Sequence, residues 1–204
     1  GLYEKVYRNT DSTDPGETPT ENLPPLLDRV YALDEVVPVD VYIPGCPTRP
    51  GLIVDALTSL LEGKPFEMEE KSVCDTCPVK RDKKADVALK RPLEDIAFAQ
   101  GEPWENTRCL MEQGFLCLGP VTRSGCATED SGGTNVPRCV QGYMPCRGCF
   151  GPVRKGANPL VDMLGALSSI GLDAKQIEDR RALLNRYIGG QNRLRPLPVR
   201  RVRR

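Results

Sequence analysis

Hydrophobic and polar positions fall into a clear pattern in only a few places along this chain. In "VPVDVYI", Val39, Val41 and Ile43 share one side of a two-residue alternation, which predicts a strand. The stretch "PGCP" (44–47) stops it. From Pro50 the period lengthens: Leu52, Ile53, Ala56, Leu57, Leu60 and Leu61 make one apolar helix face. Pro50 suits the first turn of that helix and Gly63 its end. This strand, loop and helix would put Cys46 just beyond the carboxyl end of a strand, where open α/β sheets place ligands. Helical spacing returns in "GANPLVDMLGALSSIG" (156–171) and in "DAKQIEDRRALLNRYIGG" (173–190), with Asp173 as N-cap. Shorter helices are expected over 92–100, over 106–113, and within "LLDRVYALDEVV" (26–37). The polar run "RNTDSTDPGETPTENLPP" after the amphipathic "GLYEKVY" reads as an exposed loop.

Between residues 64 and 155 the periodicity fades and turn residues take over. The chain has 19 glycines and 19 prolines among 204 residues, few aromatics, and nine cysteines, eight of them in this stretch. Such a sequence buries a limited apolar core, so cross-links or metal are expected to help hold it. There is no histidine. The commonest general base and the commonest nitrogen ligand are therefore missing, and any metal must be held mainly by sulfur.

Formal net charge is zero, but nine arginines and no acid lie between Arg180 and Arg204. This basic tail reads as a solvated or partner-docked terminus; without interleaved aromatics it does not read as a nucleic-acid binder. No apolar run reaches the ~20 residues of a membrane span. A cytoplasmic setting is expected. Because the sequence opens at Gly1, it is expected to be a processed chain or the later part of a longer polypeptide.

The cysteines are Cys46, Cys74, Cys77, Cys109, Cys117, Cys126, Cys139, Cys146 and Cys149. Disulfides fit poorly, because the number is odd and C-x-x-C pairs staple no large loop. A zinc-stabilised scaffold without redox role would use Cys74/Cys77 and Cys146/Cys149, leaving five thiols unexplained. Iron–sulfur clusters take four thiolates each from loops rich in small residues. Without Cys46, eight remain. In chain order they divide into Cys74, Cys77, Cys109 and Cys117 upstream, and Cys126, Cys139, Cys146 and Cys149 downstream. Spacing alone does not prove this partition. Cys46 reads as an inert thiol, a nucleophile lacking a base, or one ligand of a further cluster.

The motifs "IPGCPTRPGLIVDAL", "CDTCP", "CLMEQGFLCLGPVTRSGC" and "MPCRGCFGP" resemble the small, electron-transfer subunit of nickel–iron hydrogenases. The resemblance runs from about residue 1 to 190 and points to the methyl-viologen-reducing type associated with heterodisulfide reductase. It implies the end of a flavodoxin-like α/β domain over 1–67, a loop-rich, mainly irregular and α two-cluster iron–sulfur domain over 68–155, a helical extension over 156–190 and a basic tail over 191–204. Cys46 would be the last ligand of a proximal [4Fe–4S] cluster. Cys74, Cys77, Cys109 and Cys117 would hold a distal cluster, with Cys74 where many members have histidine. Cys126, Cys139, Cys146 and Cys149 would hold a medial one. Many members have proline at the position of Cys139 and a three-iron cluster; a fourth thiolate implies [4Fe–4S] here. The family's earlier proximal ligands are absent, so an N-terminal half of the small subunit is expected elsewhere. The other implied partners are the hydrogenase large subunit and a flavin or iron–sulfur acceptor such as heterodisulfide reductase. The related cluster subunit of respiratory complex I shares "PGCP" but lacks the eight downstream thiols.

Overall fold

The computed structural model describes residues 22, 31–90, 96–97, 101–127, 135–154 and 156–177. The chain divides into two compact units, 1–32 and 33–204, and the described residues lie almost wholly in the second. Most of the expected loop at 8–25 and of the helix at 92–100, together with the helix after residue 177 and the arginine tail, lie outside the described residues.

Five α-helices occur among the described residues: α1 Leu33–Val36, α2 Pro50–Leu61, α3 Val73–Thr76, α4 Arg138–Gln141 and α5 Pro159–Ser169. Single 3-10 turns lie at Trp104–Asn106, Gly119–Val121 and Ala174–Gln176. The ends of α2 follow the sequence. Pro50 opens it, where its missing N–H costs no bond. At its end Gly63 N–H donates to the Leu60 carbonyl at 3.0 Å and Lys64 N–H to Ser59 at 2.8 Å, the paired bonds of a Schellman cap. In α5, Asn158 is the N-cap and its side chain accepts from Val161 N–H. Asp173 caps as expected, accepting from Lys175 N–H at 2.8 Å, but within the described residues it opens only a 3-10 turn.

Three expectations differ from the structure. Residues 39–43 keep the alternation, with Val39, Val41 and Ile43 half-buried and Asp40 and Tyr42 exposed, yet form no strand. A strand exists only with a neighbour to complete its ladder, and no described segment pairs with this one. The face of α2 is only partly covered: Leu52 and Ala56 are buried, whereas Ile53, Leu57, Leu60 and Leu61 are exposed. The helix expected over 106–113 is instead a 3-10 turn followed by one turn over 110–114. That turn begins helically, with Gln113 N–H bonded to the Cys109 carbonyl. It then closes at Gly114, whose φ of +94° no helix can continue.

No strand forms among the described residues; four isolated bridges stitch the loops instead. They join Ser72 to Arg123, Thr122 to Pro152, Lys80 to Arg108 and Lys90 to Phe115. The core lies under these loops. Met163 and Leu167, one turn apart on α5, are wholly buried and pack with Val79, Met111, Leu118, Val121, Val136 and Val140. Each fully buried side chain of this size contributes roughly 1.5–3 kcal/mol. Several of them sit one or two residues from a cysteine: Val79 after Cys77, Met111 after Cys109, Leu118 after Cys117 and Val140 after Cys139. Core burial thus anchors the loops that carry the thiols. No described helix is long and apolar enough to cross a membrane.

Candidate metal centre

All nine cysteines lie among the described residues, and all are free thiols. The upstream four are gathered from three loops. α3 carries Cys74, and Cys77 is its C-cap; Ser72 and Asp75 close its start as a capping box, with Ser72 N–H on Asp75 Oδ2 at 2.7 Å. Lys80 N–H donates to the Thr107 carbonyl at 2.9 Å and Cys109 N–H to Lys80 at 2.7 Å, which draws Cys109 to the C-x-x-C turn. Leu118 N–H donates to the Cys146 carbonyl at 2.9 Å, setting Cys117 beside the downstream loop. Gly119 marks where the sulfurs meet: a Cβ there would stand 3.0 Å from Cys74 Sγ and 3.5 Å from Cys117 Sγ. Cys74 lies within electrostatic range of Cys117, Cys109 and Cys77.

The downstream four line one cavity of about 260 Å³ together with Cys46. Val73, Thr122, Pro137 and Phe150 complete much of its wall, and Arg49 and Arg138 supply positive charge. Cys46 is exposed and enters through a tight turn in which Gly45 has a φ of +123°. The turn is fastened by Thr48 Oγ1, which donates to the Pro44 carbonyl at 3.1 Å. Cys46 N–H is directed at the Cys149 sulfur.

A repeated local geometry accompanies these thiols. The backbone N–H two residues on is directed at the sulfur of Cys77 (from Val79), Cys109 (from Met111), Cys117 (from Gly119) and Cys146 (from Gly148). Arg138 N–H meets Cys126. The two sets touch at one hydrogen bond: Cys146 N–H donates to Cys117 Sγ at 3.2 Å.

Burial pushes the Cys117 thiol up to about 12 and raises Cys74 and Cys146 well above the ordinary range. Burial likewise raises Cys77, Cys109, Cys126 and Cys149. A buried thiolate is costly unless a cation neutralises it, and a bound metal deprotonates its thiols outright. The directed N–H groups and the gap at Gly119 suit sulfur ligands that become anionic around a compact inorganic core. The donor chemistry and the cavity therefore fit an iron–sulfur group. Among the described residues, no three Cys, Asp or Glu side chains are set to hold a single metal ion.

The sequence reading missed the polar groups around the thiols. Arg81 donates to the carbonyl oxygens of both Cys74 and Cys77, the latter at 3.2 Å. Glu112, almost wholly buried, accepts Asp82 N–H at 3.0 Å and Lys83 N–H at 2.7 Å. Its carboxylate also stands 3.7 Å from Arg108 Nε. Thr122 is buried at the cavity wall and donates to the Leu118 carbonyl at 2.6 Å. The only sequence trace was a charged residue three or four places after a cysteine, which says nothing of its target.

Comparison with known proteins adds an independent line. The family model described as "NADH ubiquinone oxidoreductase, 20 Kd subunit" matches residues 7–60, which hold Cys46 and none of the other eight cysteines. The chain is 39% identical over 187 residues to an F420-non-reducing hydrogenase vhu subunit of Methanocaldococcus jannaschii, covering 91% of this chain and 59% of the relative. It is 35% identical to an F420-non-reducing hydrogenase subunit of Methanothermobacter thermautotrophicus, covering 88% and 54%. It is 30% identical to an F420-non-reducing hydrogenase iron-sulfur subunit of Archaeoglobus profundus, covering 84% and 55%. The chain thus spans between 54% and 59% of the length of these relatives. Over most of its own length it is a homologue of these F420-non-reducing hydrogenase subunits, which is the resemblance its cysteine motifs carry.

Proposed function

We propose that this chain is an electron-transfer part of a nickel–iron hydrogenase. In this reading Cys74, Cys77, Cys109 and Cys117 hold one [4Fe–4S] cluster, and Cys126, Cys139, Cys146 and Cys149 hold a second. Cys46 is one ligand of a third, whose other ligands lie outside these 204 residues. Hydrogen is split in a partner large subunit, and electrons leave to a flavin or iron–sulfur acceptor protein of the heterodisulfide reductase kind in the cytoplasm. The observation that carries the reading is the convergence of the four downstream thiols, with Cys46, on one cavity lined by two arginines.

When bound, such clusters supply reversible one-electron chemistry. The protein's own part is to hold, insulate and space them. The thiolates anchor each corner. Val79, Met111, Leu118 and Val121 anchor the upstream loops in the core, and Val140 does the same beside Cys139. The Cys146 N–H to Cys117 Sγ bond joins the two thiol sets through a few atoms. No side chain of this chain is assigned acid, base or nucleophile duty in hydrogen splitting.

Anaerobic reconstitution followed by iron and sulfide analysis and EPR tests the proposal. About eight of each per chain are expected for two cubanes; zinc in their place, with a colourless protein, would sink it. A point substitution probes the upstream set. Gly119→Ala should take the room that Cys74 Sγ and Cys117 Sγ need and lower the iron content toward one cluster, about four irons. Full loading with an unaltered upstream EPR signal would show that the space is not needed.

A further inference from the structure

One exposed cation is bonded to the turn that carries Cys74 and Cys77. Arg81 lies four residues beyond Cys77, and its guanidinium reaches back across the C-x-x-C turn to bond the carbonyl oxygens of Cys74 and Cys77. One terminal nitrogen, Nη2, donates to both carbonyls. The next two residues are fixed as well, since Glu112 accepts both the Asp82 and the Lys83 N–H. Arg81 is therefore pinned on both sides: its head on the cysteine carbonyls and its main chain next to a segment tied to a buried carboxylate. It is thus held against the turn that carries two of the four upstream ligands.

We infer that Arg81 is a positioning residue that clamps the Cys74–Cys77 turn and, by its charge, sets the reduction potential of the upstream site. The inference rests on the reading that these four thiols hold an iron–sulfur cluster. Reduction adds one negative charge to the bound group. A fixed cation nearby stabilises the reduced form over the oxidised one and so raises the potential. Because Arg81 is exposed, the effect is screened by solvent and by salt. Two of the neighbouring lysines have acidic partners: Lys80 pairs with Asp82 at 3.9 Å and Lys84 with Asp86 at 3.3 Å.

The test is an EPR-monitored redox titration of the loaded protein in its native complex, comparing the unaltered chain with Arg81→Gln and Arg81→Lys. In Arg81→Gln the reduced-to-oxidised ratio of the upstream cluster at a fixed ambient potential should fall by up to about tenfold, which is 59 mV for one electron. The fall should shrink as ionic strength rises, and the downstream signal should keep its potential. Arg81→Lys should stay near the unaltered potential, since the charge remains. Equal potentials in all three proteins overturn the inference. So does an equal fall in both variants, because loop distortion rather than charge would then be responsible. If Arg81→Gln does not retain its cluster, Arg81→Lys and the unaltered chain decide by their salt series; an upstream potential indifferent to salt overturns the inference. An unaltered chain with no cluster signal would instead refute the iron–sulfur reading, which keeps the two failures apart.

Discussion

Serine at position 146 should remove about half of the chain's iron, from about eight atoms to about four, and leave the upstream EPR signal in place. Cys146 is the most deeply placed of the downstream thiols, 5% exposed on the cavity wall. A serine oxygen is a harder ligand than a thiolate and suits iron–sulfur corners poorly. The substitution is narrow because the bonds that Cys146 makes to the upstream loop are made by its main chain. Its N–H on Cys117 Sγ and its carbonyl on Leu118 N–H both survive in Cys146→Ser. The upstream loops should therefore hold their shape. Cys46→Ser serves as the companion. Cys46 belongs to neither four-thiol set, so that variant should keep about eight irons per reconstituted chain. If Cys46→Ser also falls to about four, Cys46 is a ligand of the downstream site whose cavity it lines, and the partition by chain order is wrong. If Cys146→Ser keeps all its iron, the downstream set is not a ligand set.

The parts of the fold legible in the sequence are those decided locally. α2 carries its own start and stop residues, Pro50 and Gly63, and both ends fall where those residues put them; α5 has its N-cap at Asn158 and opens at Pro159, inside the stretch of helical spacing. The run 39–43 shows the limit of local reasoning. Its alternation is present in the burial of Val39, Val41 and Ile43, but a strand needs a partner that no periodicity supplies. The same limit governs the cysteines. Their number and small neighbours pointed to sulfur-held metal, because those are properties of composition. Which thiols share a wall is tertiary: Cys117 meets Cys146 only because Leu118 bonds the Cys146 carbonyl from a distant part of the chain. Arg81 and Glu112 were illegible for a related reason. Both act on backbone groups, so nothing in the side chains around them announces the partner.

The largest stability loss is expected from Gly114→Ala, far from any thiol in chemistry but not in construction. Gly114 has a φ of +94°, a conformation that costs an L-residue about 1–2 kcal/mol. A Cβ there would also collide with the Ala88 carbonyl oxygen and press on Val87 Cγ2 at 3.1 Å and Lys90 Cγ at 3.3 Å. The obstacle is backbone, and it cannot swing aside as a side chain would. Nor can Gly114 retreat. Its carbonyl accepts Lys90 N–H at 2.8 Å, its N–H is bonded to Met111, and the next residue, Phe115, is wholly buried beneath Lys90. Relief must come from breaking the Lys90–Phe115 bridge or from lifting Phe115 out of the protein interior. With overpacking at about 1–3 kcal/mol, the total is about 2–5 kcal/mol. For a chain of this size that lowers the melting temperature of the loaded protein by roughly 10 °C. The turn it breaks, 110–114, lies between Cys109 and Cys117, so cluster loss should accompany unfolding. Coincident melting curves from circular dichroism and from the visible absorbance of the bound clusters would show this. A variant that melts with the unaltered chain would mean that the loop has slack the packing does not reveal. Absorbance lost well before the dichroism would mean that the loop and the core unfold separately.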